Sequence, residues 1–244
     1  MLAKFVYNLQ NFSLRHFSIK LEKCILCGCP IQIKINNDEM AVRCLRCFAS
    51  PVVQSLGLAL KKHIPEISNK SVYELSSRGA FVNFLKKQKT QLTLSEYFDN
   101  IQTGTCFDGV LCQNVESLTF EDGIFDICTS LEVFEHVEND DKGFAEVYRV
   151  LKPKGFFLFT VPINLHTKTV ERTQLINGIR KNTLTPEYHS DSLRGYNKVF
   201  CYRNYGIDIL QRLKSAGFQE CNIYQPHKNK LFGFGRPVIV AFKN

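Results

Sequence analysis

The 244-residue sequence contains no apolar run that approaches the length of a bilayer-spanning helix. Such a helix needs about 20 apolar residues, and the longest candidates, Gly155 to Val161 and Val238 to Phe242, have the length of buried strands. No signal peptide precedes the cysteines, no segment repeats, and no tract is of low complexity. With 44% hydrophobic residues, disorder is not the default reading either. Ten cysteines without a secretion signal read as thiols in a reducing compartment, which implies a cytoplasmic chain and bound metal. Acids are missing from the first twenty residues, where Lys4, Arg15 and Lys20 accompany Leu2, Phe5, Val6, Leu9 and Phe12 at helical spacing. That pattern predicts an N-terminal amphipathic helix, with a targeting or membrane-surface segment as the second reading.

The net charge is +8, and its distribution says more than its sum. From Asn114 to Glu146 ten acids face Lys142 alone. From Ile163 to Arg203 the order reverses, with Lys168, Arg172, Arg180, Lys181, Arg194, Lys198 and Arg203 against three acids. A substrate carrying phosphate or carboxylate groups would find its charge complement in this second stretch.

Cys24-Ile-Leu-Cys27 and Cys44-Leu-Arg-Cys47 form two Cys-x-x-Cys knuckles, separated by the strand-like Gln32-Ile-Lys-Ile and the turn-prone Asn36-Asn37-Asp38. Zinc takes four ligands in a tetrahedron, and each knuckle places two thiolates on one side of the ion. Cys24, Cys27, Cys44 and Cys47 are thus the expected ligands of a structural Zn2+, and Cys29 a bystander. Four thiolates leave no position for water, and the ion replaces a core that about forty residues cannot build.

From Ser71 onward strand and helix patterns alternate. Val72 to Leu75, Leu92 to Leu94, Gly109 to Cys112, Phe125 to Ser130 and Gly155 to Val161 read as strands, with helices over Gly79 to Lys87 and Gly143 to Leu151. Tyr205 to Ala216 reads as a further helix ending at Gly217, and Cys221 to Tyr224 and Val238 to Phe242 as closing strands. The alternation predicts an α/β fold, a mostly parallel seven-stranded sheet with its ligand site at the carboxyl ends of the strands. The expected division is a helix and ribbon over 1–50 and a catalytic domain over 51–244, with 163–203 as a substrate lid.

The blocks Tyr73-Glu-Leu-Ser-Ser-Arg-Gly-Ala, Ser95-Glu-Tyr-Phe, Cys112-Gln-Asn-Val-Glu-Ser-Leu-Thr-Phe, Phe125-Asp-Ile-Cys-Thr-Ser-Leu-Glu-Val-Phe-Glu-His-Val, Arg149-Val-Leu-Lys-Pro-Lys-Gly and Thr160-Val-Pro stand in a characteristic order. Over about Ser71 to Pro162 the chain resembles class I S-adenosylmethionine-dependent methyltransferases, and within them the ubiquinone-biosynthesis-type group. The tail Pro186-Glu-Tyr-His-Ser-Asp with Tyr205-Gly-Ile-Asp-Ile-Leu is similar to a bacterial subset tied to cell-surface glycan pathways. The resemblance implies a Rossmann-like sandwich and S-adenosylmethionine as cofactor. It places Glu74, Ser76 and Gly79 at the turn holding the cofactor's carboxylate. Glu96 falls on the ribose hydroxyls, Asn114 and Val115 beside the adenine, and Ser130 and Leu131 in the methyl-donor pocket. The family's E-x-G-x-G-x-G loop is here Glu74-Leu-Ser-Ser-Arg-Gly-Ala, so Ser76, Arg78 and Ala80 stand where glycine is usual, and a side chain there would crowd the cofactor's approach. Asn114 replaces the family's adenine-contacting acid and can still accept through its carbonyl.

In Glu132-Val-Phe-Glu135-His136 the three polar residues share a helix face. The string is similar to that of small-RNA terminal 2′-O-methyltransferases, which implies a second divalent metal at Glu132, Glu135 and His136, with His189 or His166 completing it; in metal-free relatives the same string orients a helix. His136, His166 and His189 are the candidate general bases, because imidazole titrates near neutral pH, set against the prevailing reading of any one of them as a hydrogen-bonded structural histidine. The activity read from these features is methyl transfer to a small-molecule or glycan hydroxyl. An RNA methyltransferase that docks RNA through the ribbon, and a binding protein that keeps the fold without the cofactor, are the alternatives. No basic run interleaved with aromatics supports the RNA reading.

Overall fold

A computed structural model describes residues 12, 14–191, 195–227 and 231–244. The N-terminal helix expected over Leu2 to Phe12 lies outside them but for Phe12. Strands β1 (Ser18–Leu21), β2 (Ile31–Lys34) and β3 (Val42–Cys44) form an antiparallel sheet in that order. The first cysteine knuckle fills the turn between β1 and β2, where Gly28 takes φ +72. The second starts at the last residue of β3.

Helix α1 (Pro51–His63) follows at once. Ser50 accepts a hydrogen bond from the Val53 N–H, and Pro51 presets the helical φ, two devices that start a helix. Its buried side chains Leu56, Ala59 and Leu60 join one apolar cluster with Cys24, Leu26 and Cys44 of the ribbon and Val72, Ile127, Leu158 and Val240 of the main sheet. Gly57 permits this approach, since a Cβ there would fall 2.4 Å from Leu26 Cδ2.

The main run is β4 (Ser71–Glu74), α2 (Ala80–Leu85), β5 (Gln91–Glu96), β6 (Cys106–Phe107), β7 (Val110–Cys112), β8 (Phe125–Leu131), α3 (Asp140–Val150) and β9 (Leu151–Thr160). Next come β10 (Ile163–Asn164), β11 (Val170–Glu171), β12 (Thr173–Ile176), β13 (Ile179–Asn182), β14 (Tyr188–Asp191), β15 (Gly195–Phe200) and β16 (Arg203–Gly206). Helix α4 (Ile209–Ser215), β17 (Glu220–Tyr224) and β18 (Val238–Phe242) close the described chain.

The central sheet has the order β17-β18-β9-β8-β4-β5-β7-β6. Its inner strands β9, β8, β4, β5 and β7 are parallel, and β18 pairs antiparallel to β9. The α/β Rossmann-like architecture is therefore as expected. It has eight strands rather than seven, because two residues, Cys106 and Phe107, add an antiparallel edge to β7. Strand order reverses between β4 and β8, and a crevice opens at such a switch point, outside the carboxyl ends of the strands. Beneath it Phe134 stacks on Phe144 at 4.5 Å, with Phe157 and Phe159 behind.

Two expected elements differ. Helix α3 begins three residues before Gly143, where the Asn139 side chain accepts from the Lys142 N–H and Asp140 and Asp141 fill the first turn. Tyr205 and Gly206 belong to a strand and not to a helix. The Tyr205 hydroxyl donates to Asp140 at 2.8 Å, and Gly206 lies so close to Thr167 and Lys168 that a Cβ would meet backbone at 2.2 Å. The segment 163–203 is a set of short paired strands. It is held down by Arg203, whose guanidinium reaches the carbonyls of Phe134, Val137 and Glu138 and the carboxylates of Glu171 and Asp140.

Candidate functional site

At the end of β4, Glu74 is fully buried. One of its oxygens accepts from the Ser76 hydroxyl at 2.7 Å and the other from the Thr129 hydroxyl. Burial pushes the carboxyl up to about 7, and the two hydroxyls restrain the rise. At the end of β5, Glu96 Oε1 accepts from the Ser77 N–H and the Ser77 hydroxyl, both at 2.9 Å, with Arg78 Nε at 3.8 Å. Among residues 75–80 only Gly79 has a positive φ, at 106°, and a Cβ built there meets nothing within 4 Å. The missing glycines therefore impose no backbone strain: Ser76 points its hydroxyl to Glu74 and Ser77 to Glu96, away from the open space at Gly79.

The next strand ends deliver the remaining residues of the crevice. The Gln113 N–H donates to the Glu96 carbonyl at 2.9 Å, which ties the end of β7 to β5. Asn114 turns its carbonyl oxygen to the Glu116 N–H at 2.9 Å, and Val115 packs into the core. Ser130 and Leu131 end β8. The Ser130 hydroxyl is buried and, among the described residues, has no hydrogen-bond partner; the same holds for the Thr160 hydroxyl at the end of β9. A buried hydroxyl without a partner costs free energy, so Ser130 is suited to a polar ligand at the carboxyl end of β8. Glu74, Ser76, Gly79, Glu96, Asn114, Ser130 and Leu131 thus stand at neighbouring strand ends. An open glycine, a preset carboxylate and an orphaned hydroxyl fit a cofactor with a carboxylate, a ribose diol and a polar head.

A second cluster follows β8. Within the 3-10 turn Phe134–His136, the side chain of Glu135 is 2% exposed and neither of its oxygens has a hydrogen-bond partner. Its Oε1 lies 3.7 Å from His136 Nε2 and 3.7 Å from His189 Nδ1. Cys201 Sγ stands 3.7 Å from His136 Nδ1, and that same nitrogen lies 2.7 Å from the Phe200 carbonyl. The rings of His136 and His189 meet edge to face with centroids 4.9 Å apart. Contact with the Cys201 sulfur and the Glu135 carboxylate raises the His189 pKa to about 10. Burial alone would raise the Cys201 thiol, but the two imidazoles outweigh it and the net direction is down.

Glu132 does not join this cluster. It adopts φ 52, and its Oε2 pairs with Arg236 at 3.1 Å, an arginine that also reaches Glu39 of the ribbon at 3.3 Å. His166 is exposed in the turn after β10, where its N–H caps Asn164, and stands apart from His136 and His189. Cys201 was not singled out in the sequence because a single cysteine after a Phe carries no ligand spacing; the pairing of β14 with β15 sets it near His189, and the bonds from the Tyr202 N–H to the Glu135 carbonyl and from His136 Nδ1 to the Phe200 carbonyl bring it to His136. Arg236 likewise gave no local signal.

In the ribbon the four knuckle cysteines converge. Cys24 and Cys47 sulfurs are 3.6 Å apart and those of Cys27 and Cys44 3.5 Å. Tetrahedral zinc with bonds near 2.3 Å sets sulfur–sulfur edges of about 3.8 Å, so the spacing fits one ion. Cys29 turns its sulfur instead to the Ile31 carbonyl at 3.7 Å. The basic segment 163–203 is less available than its composition suggests, since Arg172 pairs with Glu187, Arg180 with Glu138 and Arg203 with Glu171.

Residues 72–159 match the family described as a methyltransferase domain. A curated relative, 24-methylenesterol C-methyltransferase 2 of Arabidopsis thaliana, is 27% identical over 113 residues, which are 45% of this chain and 27% of the relative. The matched part therefore spans about a quarter of that protein. Among solved structures, an S-adenosylmethionine-dependent methyltransferase from Mesorhizobium loti superposes with a TM-score of 0.51 at 15% identity, covering 78% of this chain and 98% of the other. The 1,6-didemethyltoxoflavin-N1-methyltransferase of Burkholderia thailandensis, solved with 1,6-didemethyltoxoflavin and S-adenosylhomocysteine, gives 0.50 at 16% identity over 79% of this chain and 78% of its own. At such identities the structural likeness is one of fold.

Proposed function

We propose, from the premise that this chain carries a class I S-adenosylmethionine-dependent methyltransferase domain, that it moves the methyl group of that cofactor to a hydroxyl of a small-molecule or glycan acceptor. The observation that carries the reading is the crevice itself, where Glu74, Glu96, Asn114 and Ser130 end adjacent strands in the family's order. When bound, the cofactor supplies a methyl group on a sulfonium, which is already a good leaving group. The chain's task is then alignment. Glu96 accepts from the ribose hydroxyls, the open turn at Gly79 receives the carboxylate, Asn114 and Val115 flank the adenine, and Ser130 with Leu131 borders the methyl donor.

On the acceptor side His136 and His189 stand beside the loop that follows the pocket. His136 Nδ1 faces a carbonyl, which only accepts, so it must carry the proton and Nε2 alone is basic. One nitrogen serves as a general base or as a metal ligand, not as both. The ribbon cysteines are proposed to hold one structural zinc. Residues 1–50 and 51–244 are proposed as the ribbon and catalytic parts, with 163–203 as the lid over the acceptor.

Calorimetry with S-adenosylhomocysteine tests the cofactor, and a screen of cell extract for label transferred from methyl-labelled S-adenosylmethionine tests the transfer. Binding together with transferred label supports the reading. A folded chain that binds neither S-adenosylmethionine nor S-adenosylhomocysteine overturns it.

A further inference from the structure

The cluster after β8 is more than a pair of histidines beside a pocket. We propose that Glu135, His136, His189 and Cys201 form a second metal site, separate from the ribbon, that takes a zinc-like divalent ion and clamps the lid onto the loop following β8. The donor atoms of His136, His189 and Cys201 lie within 4.8 Å of one another, and the Glu135 oxygen stands 3.7 Å from both imidazoles. Hydrogen bonds from nitrogen to oxygen close to about 2.7–3.2 Å, so the Glu135 carboxylate is held near both imidazoles without a direct hydrogen bond, while Cys201 Sγ lies 3.7 Å from His136 Nδ1. Ligands at about 2.0–2.3 Å from a tetrahedral ion are separated by roughly 3.3–3.8 Å. The two separations between Glu135 and the imidazoles, 3.7 Å each, belong to the second case.

Three further features point the same way. Glu135 is almost wholly buried, with both oxygens lacking a hydrogen-bond partner, and an ionised carboxylate in the interior demands a counter-charge. His136 donates from Nδ1 to the Phe200 carbonyl, the outer-shell bond that fixes the tautomer of a metal-ligating histidine and turns the other nitrogen's lone pair inward. The donors are one thiol, two imidazoles and one carboxylate, a set that selects zinc-like ions over magnesium, which prefers oxygen ligands and retained water.

Four protein donors close the coordination sphere, so the site is structural. Two of them, Glu135 and His136, sit on the turn after β8, and the other two come from the lid: His189 on β14, and Cys201 directly after β15. An ion there fixes the lid at its hinge with the pocket. This inference does not rest on methyl transfer, and its test is a metal count.

The full chain, purified without added chelator, is expected to hold two zinc ions, one in the ribbon and one here. Cys201→Ser and His189→Ala should each remove one equivalent and leave the other. Cobalt replacement separates the sites, because the four-thiolate ribbon gives strong sulfur-to-metal absorption that Cys44→Ser abolishes and Cys201→Ser retains. Retention of those bands also reports that the variant has folded. A single zinc that disappears with Cys201→Ser and survives Cys44→Ser supports this site while refuting the ribbon's zinc. Zinc content unchanged in both Cys201→Ser and His189→Ala overturns the proposal and leaves an ionic cluster of two imidazolium groups around Glu135.

Discussion

Glu96 enters any binding event already oriented, because Ser77 holds its Oε1 through a backbone N–H and a hydroxyl. A carboxylate preset in this way loses little rotamer freedom when a diol arrives, and charge-assisted hydrogen bonds are the strong ones. Glu96→Ala is expected to weaken S-adenosylhomocysteine binding by roughly ten- to a hundredfold, about 1.4–2.7 kcal/mol, as read by calorimetry; unchanged affinity in a folded variant would remove Glu96 from the site. Glu74 makes a different prediction. Its carboxyl is raised from 4.5 to about 7 by burial. Below pH 4.5 the carboxyl is protonated in both states and the shift has no effect on stability. Between 4.5 and 7 the folded chain keeps a proton that the unfolded chain has released, so stability falls as pH rises, by about 3 kcal/mol in all. Glu74→Gln removes that slope, and urea unfolding of both proteins between pH 4.5 and 8 should show the difference widening with pH. Parallel curves would mean that Glu74 is ionised in the fold.

At the scale of elements, the segment 163–203 is fastened by a buried ionic knot. Asp140, 4% exposed at its side chain, meets Arg203 at 3.6 Å, Arg212 at 3.0 Å and the Tyr205 hydroxyl at 2.8 Å. Removing one partner from such a group leaves uncompensated charge, at a cost of about 3–5 kcal/mol. Asp140→Ala should therefore destabilise the chain by that amount in chemical denaturation and expose 163–203 to limited proteolysis. A loss below about 1 kcal/mol would show that this segment docks by other means. The same knot explains what could be read from the sequence. The parallel strands were legible because β4, β8 and β9 are short apolar runs followed by turn signals, and the crevice because its residues stand at the ends of those strands. The strands of 163–203 were not legible. They are polar and short, and Tyr205 looks helical until its hydroxyl is known to end on a carboxylate 65 residues away. Spacing revealed four cysteines that lie close in sequence, but Cys201 meets His136 only through tertiary pairing.

At the scale of the whole molecule, the ribbon is not an appendage. Cys24, Leu26 and Cys44 share one apolar cluster with α1 and the main sheet, so disruption of the four-cysteine cluster should propagate. Cys44→Ser is expected to lower the melting temperature of the entire chain in one transition, followed by circular dichroism, whereas a separate early transition would mark the ribbon as independent. The polar counterpart of this seam is Arg236. Its N–H donates to the Ser55 hydroxyl of α1, and its guanidinium bridges Glu39 of the ribbon and Glu132, the residue after β8. Burial and the neighbouring Glu135 push the Glu132 carboxyl up, and Arg236 opposes that rise. Without the guanidinium the rise grows, and a raised carboxyl loses stability as pH climbs through its titration. Arg236→Ala should thus cost about 1–3 kcal/mol near pH 8 and progressively less toward pH 5, where Glu132 is neutral. Adding Glu132→Gln should recover part of the loss at pH 8, since it removes the charge that Arg236 balances. A penalty that is the same at both pH values and unmoved by Glu132→Gln would assign the role of Arg236 to its packing against α1, and would cut the electrostatic link between ribbon and pocket.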